Sequence, residues 1–341
     1  MLVSRLMNRF CRLAISYIVP VLVLAAPSIA FANWDAVVAD AKKEGKVVVY
    51  IAGATDALPD TLKKFQAETG IQVDFLRSTP AELRERIRTE FTTNRVRGDL
   101  VMTGNTIKNI AEVFQPHGEI PNIKRIVAPF QDDGTFVPYS VGVNGIFVNT
   151  KLVKESEMPK RWQDLLDPKW KGKMLAYDPR VGGPGNGTFT ILYDMYGREY
   201  LEKFAAQKPE FLVNTTLGQR RVAQGEFPIY VGGHVGNIVQ LPGLPIKAIA
   251  MEDGSPYVTT VAMIMKGAAN PNAARVLLNY ILAPEAQKVL VTQVSPSPTG
   301  DVADNVPADL KYLIGMKLRG EPSPVPAKMD EMFALMKDVF R

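Results

Sequence analysis

The sequence predicts an α/β protein of two lobes, and three observations carry that expectation. Between residues 46 and 105, β-rich runs alternate with helical runs in β-α-β-α-β order, the pattern of a mostly parallel sheet covered by helices. Two long β-like runs, residues 136–149 (FVPYSVGVNGIFVN) and 257–265 (YVTTVAMIM), bracket a second α/β block, as in a chain that crosses to another lobe and later returns. Without an N-terminal leader of 32 residues, 309 residues remain, enough to bury a large core without staples.

The chain begins with Arg5, Arg9 and Arg12 and no acid, followed by an apolar run from Leu13 to Ala26 and small residues at Ala30 and Ala32. This is the charged, apolar and small-residue order of a secretory signal peptide over residues 1–32, with cleavage expected after Ala32. The apolar run is shorter than the roughly 20 residues a spanning helix needs, and Pro20 interrupts it. Cleavage removes three arginines, so a net charge of +5 becomes +2. The remaining charge is interspersed, without a basic stripe interleaved with aromatics, which argues against nucleic acid as a partner. Cys11 is the only cysteine and lies within the leader, so the mature chain has no disulfide, thiolate metal site or cysteine nucleophile. No later segment reads as membrane-inserted, and the expected destination is the periplasm.

Asn33 is positioned to cap a short helix through Lys43, ended by Gly45. Residues 46–51 (KVVVYI) read as a strand, residues 59–69 as an amphipathic helix stopped by Gly70, and residues 71–76 (IQVDFL) as a second strand. A charged helix over residues 80–91 and a short strand over 99–102 come after them. Residues 270–287 (NPNAARVLLNYILAPEAQ) form a helix pair. Pro271 suits a first helical turn, Ala274, Leu277, Leu278 and Ile281 make one stripe, and Pro284 breaks the first helix and opens the second.

That last string closely resembles the late helix pair of bacterial extracellular solute-binding proteins, the ligand-capturing subunits of ABC importers. The strings KKEGKVVVYIAG with FQAETGIQVDF, GDLVMTGNT, WQDLLDPKWKGKM and VAQGEFPIYVGGH are similar to further segments of that family, in the expected order. The resemblance covers nearly all of the mature chain. It implies an α/β, two-lobed periplasmic-binding-protein fold (type II-like) with two crossover strands as hinge. Lobe 1 would comprise residues 33–138 plus about 260–300, and lobe 2 residues 139–259 plus about 301–341. It further implies a small-molecule ligand, an ABC permease and its ATPase as partners, and a monomer. No cofactor is expected.

Three constellations are candidates for the ligand site. Gly182–Phe189, with Gly185, Asn186, Gly187 and Thr188, is a glycine-rich approach to a helix start, where free N–H groups favour an anion. Arg180 precedes it. Tyr230, Gly233 and His234 lie at a strand end, where open α/β sheets bind ligands. In the family's ferric-iron branch this region ends in a tyrosine pair. Here Val231 stands beside Tyr230, so iron would have to use Tyr230, His234 and Tyr257 from separate positions. The third set is loop tips of the first lobe: Thr55 and Asp56, Arg77 and Ser78, and Thr103, Gly104 and Asn105. Tyr139 and Asn144 on the first crossover and Tyr257 on the second would line the cleft, or simply pack.

His117 and His234 are far apart in sequence, and no HExxH, GxSxG or defensible carboxylate pair occurs. The expected function is therefore a substrate-binding subunit that closes on a small polar or anionic ligand, not an enzyme. A ferric-iron-binding protein is the first alternative. A secreted α/β enzyme on the same fold, or a sensor partner, belongs to a different class.

Overall fold

A computed structural model describes residues 29–52, 57–290, 294–301, 306–321 and 325–341. Thr55 and Asp56, and the leader as far as residue 28, lie outside the described residues. The first helix, α1 (Ile29–Glu44), runs through Asn33, so Asn33 sits inside the helix and not at its cap as the sequence suggested.

The expected alternation is present: β1 (Lys46–Ile51), α2 (Leu58–Thr69), β2 (Gln72–Arg77), α3 (Pro80–Thr92), β3 (Leu100–Gly104) and the short β4 (Phe114–Gln115). Gly70, at φ 74°, ends α2 in the left-handed conformation that glycine adopts without a Cβ penalty. Thr79 and Glu82 start α3 with a reciprocal capping box: Glu82 N donates to Thr79 Oγ1 at 3.3 Å and Thr79 N to Glu82 Oε2 at 3.0 Å. β1 pairs in parallel with both β2 and β3, which brings Arg77 and Gly104 to one edge of the sheet.

The crossover strand β5 (Val137–Asn149) leads into β6 (Met174–Tyr177), α4 (Pro184–Ala206), β7 (Glu210–Leu212), α5 (Thr215–Ala223), β8 (Ile229–His234) and β9 (Ile246–Ile249). The chain returns on β10 (Tyr257–Met265) and ends with α6 (Pro271–Ile281), α7 (Pro284–Leu290) and α8 (Pro326–Val339). The strand order β2-β1-β3-β10-β5-β8-β6-β7 makes one curled path, with β5 shared between a first sheet and a second. The structure is two-lobed.

Each sheet is covered on both faces. Leu277, Leu278 and Ile281 of α6 lie fully buried with Val47, Val49 and Phe65, as the stripe predicted. Truncating such a leucine to alanine costs roughly 2–5 kcal/mol. On the second sheet, Trp162, Phe189, Phe204 and Phe340 gather on one face and Phe147, Tyr230 and Ile246 on the other. The buried carboxylate of Asp99 ties layers together by accepting from Val48 N at 2.8 Å and from Asn270 N and Nδ2, each at 2.9 Å.

Two irregularities interrupt the pairing of the central strands. Where β5 pairs with β10, Thr260 opposes Ser140 and Val261 opposes Pro138, which leaves Tyr139 as an extra residue. Where β5 pairs with β8, Gly145 opposes Gly233 and Ile146 opposes Val231, which leaves Gly232 extra, at φ 86°. Each is a β-bulge, and a bulge reverses which face the later side chains of the strand occupy.

Candidate functional site

Paired residues across a sheet share a face. Phe147 and Tyr230 are paired and lie in the same core. Plain alternation would put His234 on that face too, four residues on. The Gly232 bulge moves it to the other one, opposite Asn144. His234 then packs over Gly142: a Cβ there would lie 2.9 Å from Cε1 and 3.0 Å from Nδ1 of the ring, so only glycine fits.

The start of α4 meets this face. Asn144 Nδ2 donates to Pro184 O at 3.3 Å. Thr188 Oγ1 lies 3.6 Å from the position a Cβ on Gly232 would take. The glycine-rich segment is more helical than the sequence suggested: Pro184 is already in the first turn, and only Gly182 and Gly183 remain as a connection. Gly183, at φ 112°, lets the chain turn beneath the Tyr177 hydroxyl. A Cβ on Gly185 would strike Tyr177 O at 2.6 Å, so that glycine serves close packing against β6. Asn186 Nδ2 donates to Pro179 O at 3.0 Å. Gly187 is buried, its N–H bonded back to Gly183 O.

Five buried polar atoms in this region have no hydrogen-bond partner: Ser78 Oγ, Tyr139 OH, Asn144 Oδ1, Thr188 Oγ1 and His234 Nδ1. An unsatisfied buried polar atom costs about 1–3 kcal/mol, so the unpartnered atoms of Asn144, Thr188 and His234 where β5 and β8 meet the start of α4 mark where a ligand would bond. The set is uncharged. Burial pushes His234 down to about 4, so its ring is neutral at pH 7, and burial holds the Tyr139 phenol protonated. The nearby cation is Arg77, which is exposed at the end of β2 and close enough to act on the Tyr139 hydroxyl. The three hydroxyls, a guanidinium and a helix N-terminus together suit a small anion, while Asn144 Oδ1 can only accept, as from a hydroxyl or ammonium of the same ligand.

The other expected residues are placed elsewhere. Arg180 is committed to structure: its Nε and Nη2 bind Asp178 at 2.8 and 2.7 Å, and its Nη1 donates to Phe340 O at 2.9 Å. Tyr230 is wholly buried against Phe147 and Gly218. Gly233 faces the same core, where a Cβ would meet the Tyr230 ring at 2.7 Å. Thr103 is buried opposite Val261. Tyr257 pairs with Val143 on the face opposite His234, and Asn105 lines a cavity with it there. Tyr230, His234 and Tyr257 therefore do not converge as an iron site would require. Among the described residues, no group of three or more His, Cys, Asp or Glu could hold a metal ion. Tyr177 and Gly142 are the additions that sequence reasoning missed. A tyrosine at a strand end and a glycine inside a β-run were the available signals.

Residues 101–316 match a family model described as "Bacterial extracellular solute-binding protein". A putative 2-aminoethylphosphonate-binding periplasmic protein of Salmonella paratyphi A is 25% identical over 303 residues, covering 81% of this chain and 84% of that one. Two solved structures share the fold. The periplasmic binding protein AfuA of Actinobacillus pleuropneumoniae, with fructose-6-phosphate bound, superposes with a TM-score of 0.69 at 20% identity over 87% of this chain and 98% of its own. Iron-bound HitA of Pseudomonas aeruginosa gives a TM-score of 0.69 at 21% identity over 86% and 99%.

Proposed function

This chain belongs to the bacterial extracellular solute-binding proteins, and on that premise we propose that it captures a small phosphoryl, phosphonyl or carboxyl anion between its lobes. It is a periplasmic substrate-binding subunit of an ABC transporter that works with a membrane permease. The observation that carries the ligand class is the set of unpartnered polar atoms of Asn144, Thr188 and His234 at the start of α4, with those of Ser78 and Tyr139 near Arg77 as the lobe 1 complement. Phosphorus-bearing ligands named for two relatives, a phosphonate and a sugar phosphate, support the same class.

Lobe 1 would contribute Arg77 and Ser78, lobe 2 Thr188 and His234, and Tyr139 and Asn144 stand on the crossover strand. A ligand touching both sets binds the closed form better and so draws the lobes together. In this reading β5 and β10 are the hinge between lobe 1 (33–138 plus about 260–300) and lobe 2 (139–259 plus about 301–341). The protein acts as a monomer without chemistry of its own, and an ATPase drives the permease. Residues 1–32 act as a signal peptide removed after Ala32, which would trim the first turn of α1.

The test is a thermal-shift panel on the chain from Asn33, unfolded and refolded to strip carried ligand. The panel holds phosphate esters, phosphonates, di- and tricarboxylates, sugars, amino acids and ferric citrate. A ligand at about 100 times its Kd stabilises by about 2.7 kcal/mol. A shift with one anion class supports the reading. A shift with ferric iron and a tyrosinate–iron colour replaces it with iron capture, and silence across the panel removes it.

A further inference from the structure

The opposite face of the crossover strands holds a separate cavity of about 180 Å³, lined by Asn105, Lys108, Phe130, Gln131, Tyr257 and Glu321 among others. Residues 317–321 run beside 255–257, with Ser255 N donating to Lys317 O at 2.8 Å and Tyr257 N to Gly320 O at 3.2 Å. That path delivers the Glu321 carboxylate into the cavity. Its Oε1 accepts from Thr259 N, and the Asn105 side chain also bonds it.

We propose that this cavity binds a small organic ammonium ion, with its charge on the Glu321 carboxylate and its carbon atoms against Tyr257 and Phe130.

Three features carry the proposal. The aromatic wall is preformed: Phe130 and Tyr257 meet edge-to-face at 5.8 Å. The lining already holds one ammonium in this manner, since Lys108 Nζ sits 5.0 Å from the Phe136 ring centre while pairing with Asp133 at 3.0 Å. Among the described residues Glu321 makes no ion pair; Lys108, bridged to Asp133 at 3.0 Å, acts on it only through its charge. Burial pushes the Glu321 pKa upward, and a bound cation would relieve that cost. The size excludes a large ligand. A single lining carboxylate does not make a metal site, and none is found among the described residues.

The site lies on the other face from Asn144 and His234, so it stands or falls independently of the anion reading. Isothermal titration with choline chloride and with ethanolamine hydrochloride, against sodium chloride, tests it. Saturable binding of either amine is expected, weakened at least tenfold in Glu321→Gln. Lys108→Met is expected to tighten it two- to fivefold by removing a competing positive charge, a result that holds even if Glu321→Gln fails to fold. Asn144→Ala should bind the amine as wild type does. Absence of saturable binding, indifference to Glu321→Gln, weakening in Lys108→Met or loss in Asn144→Ala would each overturn the proposal.

Discussion

His117 is buried and His234 half-buried, but the protein treats their ring nitrogens in opposite ways. His117 Nδ1 meets Gly118 O at 2.5 Å and its Nε2 meets Asp132 at 3.0 Å. Burial pulls its pKa down, yet the hydrogen bond and charge of Asp132 outweigh that, and the net direction is up. An acceptor at each ring nitrogen favours the doubly protonated ring, in line with the upward shift. His234 has an inaccessible Nδ1 with no partner, and burial alone pushes it down to about 4. A polar group that the fold satisfies internally serves the fold. One left unsatisfied at a lobe junction is available to something that comes and goes.

The sharpest way to break this contrast is pH. The folded pKa of His234 lies below its unfolded value, so its contribution to stability is full above about pH 6.5 and is lost as pH falls towards 4. That loss is on the order of 3 kcal/mol. His117 runs the other way: its contribution is full below about pH 6.5 and is lost as pH rises through its raised folded value. Urea denaturation between neutral and acid pH should show His234→Gln flattening the acid loss and His117→Gln steepening it. Parallel curves for all three proteins would end the distinction.

Next in size, His117→Ala leaves Asp132 and the Gly118 carbonyl without their ring partner. It should cost about 2 kcal/mol near pH 6, with ligand affinity unchanged by calorimetry. A weakened ligand would make His117 part of the binding path. Smaller again, Tyr139→Phe and Thr188→Val remove buried hydroxyls that have no partner. Stability should hold or rise by up to about 1 kcal/mol, while affinity for the anion found in the panel drops roughly five- to tenfold. A fall in stability with affinity intact would assign both hydroxyls to packing. The smallest effect is expected for Tyr230→Phe, whose side chain lies in the core: affinity should stay within about twofold.

Much of the fold was legible because it rests on local patterns. The runs 46–51 and 257–265 become β1 and β10 residue for residue, and Pro271 and Pro284 open α6 and α7. The site was legible in outline only. Gly183 and Thr188 could be suspected from their place before an apolar helical run, as could His234 from its place after a strand. Arg180 could not be set aside, because the carbonyl it holds belongs to Phe340, 160 residues away. Asn105 and Tyr257 looked like cleft residues because strand ends do converge, but the face on which they lie depends on pairing with β3 and β5.

By itself the sequence determined the alternation of elements, the two long crossovers and the family to which the chain belongs. These come from periodicity, turn residues and strings that each need only nearby residues to be read. Tertiary structure alone decided which polar groups are spoken for and which face each looks toward. The extra residues at Tyr139 and Gly232 exist only against their partner strands, and one extra residue sends every later side chain to the other side of the sheet.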